Sequence, residues 1–223
     1  WSAYLVDGDL GHEIDVREIP EDWEVGYFAR RTQRPFDPNK PEPSGEMFLI
    51  NTELRDWAYE LTKDAQLPDL PGLAETRMQY TDHPNAQKPP FVLKGGHIAA
   101  LTFWHGAMMN DWANRWVSYW SEGETDFVTS AMEETGTYLS IEYLHNAGLV
   151  DKNRFMVLRA GSTYTMQPPG VGAAENLLRE NDGYAGMRAS LESLYLVGSI
   201  VIDELLDNWL RYVDDVPQPG LVE

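Results

Sequence analysis

Short apolar runs of three to seven residues alternate along this chain with longer stretches in which apolar residues recur every three or four positions. That alternation is the tightest constraint on what the chain can fold into. Strands interleaved with helices predict an α/β architecture with a largely parallel sheet. The strand-like runs are Trp1–Val6, Met47–Ile50, Phe91–Leu93, Ile98–Trp104, Asp126–Thr129 and Arg154–Leu158. Helical spacing predicts helices from Asn51 or Thr52 through Ala65, where Leu54, Trp57, Ala58 and Leu61 form one face, and over Met108–Trp120, Ala131–Ala147, Val171–Arg179 and Met187–Tyr212. Gly8–Glu18 reads as a polar, acid-rich continuation of the first strand. The four prolines between Pro35 and Gly45 make that stretch an exposed excursion. Asp82–Pro90 and Gly161–Pro169 read as loops.

Composition removes several classes of function. With 223 residues the chain suits one domain, and 36 acidic against 17 basic residues leave a net charge of −19. Such a field repels phosphodiester backbones and anionic lipid, so nucleic acid is not an expected partner. There are no cysteines, which excludes disulfides, zinc thiolate sites and thiol nucleophiles. The longest clean apolar run, Leu194–Ile202, falls far short of the roughly 20 residues a spanning helix needs. Asp7, Asp9 and Glu13 come too early for a secretory signal. Opening directly on a strand-like run, the chain is expected to fold with protein that precedes it, either a missing N-terminal segment or a partner chain.

In open α/β sheets ligands bind beyond the C-terminal ends of strands, where strand passes into helix. Three such junctions carry chemistry: Ala100–Gly106, Ser130–Gly136 and Arg159–Gly170. At the second, Ser130 followed by Glu133 fits a capping box, in which each side chain satisfies a backbone donor at a helix start. The same Glu133 could instead accept two sugar hydroxyls, with Met132 against the apolar face of a ribose. At the third, Gly161-Ser162-Thr163-Tyr164-Thr165-Met166-Gln167 is either a plain polar loop or a set of donors and acceptors for the edge of a heterocycle. At the first, Phe103 and Trp104 must point to opposite sides of an extended segment, so one can face a ligand ring while the other is core. His105 reads as a structural histidine. The acidic group His12, Glu13, Asp15 and Glu18 lacks metal-ligand spacing, and no metal site is expected. HExxH, P-loop, GxGxxG and GxSxG motifs are all absent.

Together these segments resemble one family. Phe103-Trp104-His105-Gly106, the run from Val128 to Thr137 (VTSAMEETGT), and Val157-Leu158-Arg159 followed by Tyr164–Gly170 (YTMQPPG) resemble the purine nucleoside permease family. His12-Glu13-Ile14-Asp15 and Arg17-Glu18-Ile19-Pro20 fit the same pattern. The resemblance covers essentially the whole chain, and YTMQPPG is its most specific part. It implies kinship with the purine and uridine nucleoside phosphorylases, hence a three-layer α/β sandwich around a twisted, mixed, largely parallel central sheet. On that reading residues 1–223 are the C-terminal two-thirds of one phosphorylase-like domain, whose N-terminal part, with its phosphate-binding elements, lies outside this sequence.

The resemblance also implies roles. Met132 and Glu133 become ribose contacts, while Phe103, Trp104, Ser162 and Tyr164 become base contacts. Thr163 and Asn176 fall at positions that match catalytic residues of the phosphorylases but are substituted here. Thr163 cannot be a general acid near neutral pH, because an alcohol is far too weak an acid. The expected partner is a purine nucleoside or nucleobase, with no cofactor beyond phosphate as a co-substrate, in a homo-oligomer. A secreted or periplasmic location is implied by the family alone. The leading expectation is cleavage of the N-glycosidic bond, by phosphate or water. The alternative is a non-catalytic nucleoside-binding protein that assists uptake; a domain that has lost its ligand is a third.

Overall fold

Apolar residues at helical spacing mark several helices of this chain, and at one of them a capping side chain, Asn51, fixes the start. The computed structural model describes residues 3–5, 19–43, 45–100, 103–180 and 184–220. They fall into two compact units, Trp1–Leu49 and Ile50–Glu223.

In the first unit, strand β1 (Ala3–Leu5) pairs with β2 (Tyr27–Ala29), with Tyr4 opposite Phe28. The pairing is antiparallel, not parallel as the alternation predicts for the opening strand. An antiparallel pair does not require the long crossover connection that a parallel pair needs. The proline-rich excursion is tied down locally. Asp37 accepts backbone N–H bonds from Asn39 and Gln33, which hold its carboxyl below the usual range. Arg31 donates to the carbonyl of Glu42 at 2.9 Å. The acidic residues 12–18 lie outside the described residues.

In the second unit, α1 (Thr52–Thr62) begins at Asn51, whose side chain accepts from the N–H groups of Glu53 and Leu54. Its apolar face packs Leu54, Trp57 and Ala58 against Val201 and Tyr212. Trp57 is fully buried and meets Tyr212 edge-on at 5.4 Å. A short helix, α2 (Pro71–Arg77), opens with proline at its first position and has no apolar stripe by which the sequence could announce it. Strand β3 (Gly96–Ala99) leads to α3 (Ala107–Ser121), and β4 (Phe127–Ala131) leads to α4 (Glu134–Asn146). The chain continues through α5 (Ala173–Glu180), α6 (Met187–Asp207) and α7 (Trp209–Tyr212). β3 and β4 are parallel, with Ile98 opposite Ser130 and Ala99 opposite Ala131.

Several expectations need correction. Met47–Ile50 and Phe91–Leu93 are not strands, and Arg154 ends a 3-10 turn (Lys152–Arg154) before an extended stretch that joins no sheet. A short apolar run becomes a strand only when a distant partner supplies its ladder, which local sequence does not encode. The strand that holds Ile98 runs to Ala99, and residues 101 and 102 of the expected run lie outside the described residues. The helix expected from Ala131 starts at Glu134, because β4 keeps Ser130 and Ala131 in the sheet. The long last helix breaks at Asn208. Along α6 a stripe of Leu191, Tyr195, Ile202 and Leu206 is exposed.

Candidate functional site

The parallel pairing of β3 and β4 sends both strand ends the same way, so the two following segments start side by side. Ala100 extends the pairing by donating to the carbonyl of Ala131 at 2.8 Å. The chain then turns through Met132 and Glu133 into α4. Glu133 occupies the position before the helix but makes no capping bond, and Ser130 belongs to the sheet. The capping-box reading of this motif is therefore wrong: Ser130 cannot pair with Ile98 and also cap the helix start.

The Glu133 carboxylate is held by other groups. Its Oε2 accepts from Arg159 at 2.8 Å and from the Met132 N–H at 3.2 Å. These two contacts, the Arg159 guanidinium first, keep its carboxyl below the usual range. The side chain is nonetheless 68% exposed. Arg159 also pairs with Glu134, whose side chain is only 14% exposed.

Behind Glu134 stands His97. Its Nδ1 lies 2.9 Å from Oγ1 of Thr129, its partner across the strand pair. Its Nε2 is 2.7 Å from Oε2 of Glu134, but the two buried atoms are out of line for a hydrogen bond. Burial pushes the His97 pKa down to about 4 and the Arg159 charge pushes the same way, against Glu133 and Thr129. His97 is therefore neutral at pH 7, and its approach to Glu134 is not an ion pair.

The other two junctions, far apart in sequence, are joined by a backbone hydrogen bond from Gly106 to Thr165. Ser162 is three residues beyond Arg159, no more than about 11 Å along an extended chain. Phe103 is 42% exposed and stacks on Tyr184 at 6.2 Å and 8°. Trp104 turns the other way, donates Nε1–H to the Met109 carbonyl and packs on Trp112. The two aromatics do split, with Phe103 outward and Trp104 against α3. Gly106 starts α3 at φ 115°, a conformation that suits glycine, and donates to the Thr165 carbonyl at 2.9 Å. The Tyr164 hydroxyl donates to the Ala86 carbonyl at 2.6 Å, and its ring packs 4.1 Å from Tyr80. Ser162 is held through its carbonyl, which accepts from Gly186 N–H at 3.1 Å.

Of the expected contacts, Met132 and Glu133 thus join Arg159, Glu134 and His97. Asn176 belongs to a separate buried pair, its Nδ2 3.4 Å from Nε2 of His105. Thr163 is half-buried in the loop. Sequence reasoning gave no role to His97, Glu134 or Arg159. The available signals were the second glutamate of the MEET run and the arginine closing Val157-Leu158-Arg159.

The family model for purine nucleoside permease (NUP) matches residues 1–217. The chain belongs to this family. It is 29% identical over 217 residues to a purine nucleoside permease of Candida albicans, with 94% of the chain and 52% of the relative covered. It is 24% identical over 216 residues to a probable purine nucleoside permease of Schizosaccharomyces pombe, covering 93% and 61%. The chain thus spans about half the length of the curated relatives it matches, or somewhat more. No solved structure matches it. These findings overturn the expectation of N-glycosidic cleavage, since the family and its relatives are named purine nucleoside permeases. Of the two residues that the sequence reading matched to phosphorylase catalysis, Thr163 carries an alcohol and Asn176 an amide turned to His105. Among the described residues, no helix is long and apolar enough to cross a membrane.

Proposed function

We propose that this permease-family chain binds purine nucleosides without cleaving them and serves their uptake, with Glu133 as the ribose anchor. The observation that carries this reading is an exposed carboxylate fixed at the C-terminal end of a parallel strand pair. The donors that other residues supply, Arg159 and the Met132 N–H, both reach one oxygen, Oε2, which leaves Oε1 for a sugar hydroxyl. Phe103, outward-facing and stacked on Tyr184, supplies an aromatic face for the base. The fold proposed around the site is the α/β sandwich of the phosphorylases, supported by parallel β3 and β4, each leading into a helix.

Replacing Glu133 with Gln keeps the shape and removes the charge. Charge-assisted hydrogen bonds are the strong ones, so affinity for a purine nucleoside should fall about ten- to a hundredfold. Calorimetric titration of the full chain checks this. Unchanged affinity in the variant rules Glu133 out as the anchor.

A further inference from the structure

We infer that Arg159 is a positioning residue that sets the Glu133 carboxylate for a vicinal diol, and so makes the site discriminate ribose from deoxyribose. This rests on the reading of Glu133 as the ribose anchor.

The geometry gives Arg159 that part. A long acidic side chain that is 68% exposed keeps its rotamer freedom unless something fixes it. At Glu133 the fixing groups from other residues are the Met132 N–H and the Arg159 guanidinium, both on Oε2. Met132 is adjacent in sequence and follows wherever Glu133 goes. Arg159 comes from a different segment, 26 residues on, and sets the carboxylate relative to the rest of the site. Arg159 is itself held, since it pairs with Glu134, and Glu134 is packed against His97. The line runs from Thr129 inside the strand pair through His97, Glu134 and Arg159 to Glu133 at the surface.

Charge supports the same conclusion. Glu133 and Glu134 are consecutive anions that would repel and splay; Arg159 is the cation that meets both. With its charge matched twice, Arg159 is engaged as a clamp and does not itself present an open site for an anion. A carboxylate clamped through one oxygen keeps the other in place for the hydroxyl donors of a diol. A carboxylate free to rotate loses that preference while the aromatic contact to the base remains. Lysine in place of Arg159 retains the charge but, as a compact ammonium on a flexible stem, not the planar fork.

The test is calorimetric titration of the full chain with inosine, 2′-deoxyinosine and hypoxanthine, for wild type, Arg159→Ala, Arg159→Lys and Glu133→Gln. We expect wild type to favour inosine over 2′-deoxyinosine. Arg159→Ala should weaken inosine about tenfold, the scale of one charge-assisted bond, and leave hypoxanthine unchanged. Arg159→Lys should restore part of the preference. If Arg159→Ala does not fold, as judged by thermal melting, the lysine variant carries the test, and a partial loss of preference is then the supporting result. Arg159 variants that keep the full preference while Glu133→Gln abolishes it overturn the inference and leave the Glu133 reading standing. An equal loss for all three ligands also overturns it, since that is the mark of a structural role. If wild type shows no preference, or Glu133→Gln keeps it, the Glu133 reading falls and takes the inference with it.

Discussion

At the scale of single residues, the site depends on a histidine kept from charging. His97 is packed between Thr129 and Glu134, with the Arg159 guanidinium and Glu133 carboxylate beyond, and its pKa of about 4 lies below the ordinary 6.5. The unfolded chain therefore takes up a proton at this position before the folded one does. The stability linked to neutral His97 is fully present above pH 6.5 and is lost as pH falls toward about 4. In His97→Gln, the melting temperature should fall less steeply with acidification over that window than in wild type. Parallel curves for the two proteins would show that His97 charges freely in the folded state. Glu133 was singled out by the sequence because Met132-Glu133 sits in a recognisable run. Its clamp was not, since the contacts from Arg159 to Glu133 and from His97 to Thr129 span 26 and 32 residues. Separations of that size leave no trace in local spacing.

At the scale of elements, the helices were easier to read than the strands. α1 and α3 declare themselves because apolar residues recur at helical spacing, and in α1 because Asn51 supplies the cap. Met47–Ile50, Phe91–Leu93 and the stretch after Arg154 have strand-like composition but form no strand, because composition alone does not supply the register that a ladder needs. The Asn51 cap gives a clean prediction. Asn51→Ala removes the acceptor for Glu53 and Leu54 and should cost about 1–2 kcal/mol in chemical denaturation. Asn51→Asp keeps that acceptor, loses only the bond from Nδ2 to the Asn153 carbonyl, and should cost less. Equal losses would mean that the tether matters more than the cap. The start of α6 makes a second prediction. A Cβ at Gly186 would lie 2.6 Å from the Ser162 carbonyl oxygen, a backbone atom that cannot rotate away. Gly186→Ala should therefore destabilise the protein by about 1–3 kcal/mol, as overpacking does. An unchanged melting temperature would show that the loop carrying Ser162 yields without cost.

At the scale of the whole molecule, the chain's −19 charge favours an uncharged ligand over a phosphorylated one, and purine nucleosides are uncharged. That fits a family named for nucleosides, and the chain spans 52% to 61% of the relatives it matches. The motifs led to the right family. The expectation failed in passing from a resemblance in motifs to the chemistry of cleavage, which the family and its relatives, named permeases, do not carry in their names. Residues able to hold a ribose and a base would suit a protein that releases the nucleoside intact as well as one that splits it. The central claim is binding without cleavage, and one measurement addresses it most directly. The full chain is titrated with inosine in a calorimeter, with phosphate present, and the ligand is then recovered and resolved by chromatography. The account predicts saturable binding and inosine recovered whole. Absence of binding, or the appearance of free hypoxanthine, would contradict it.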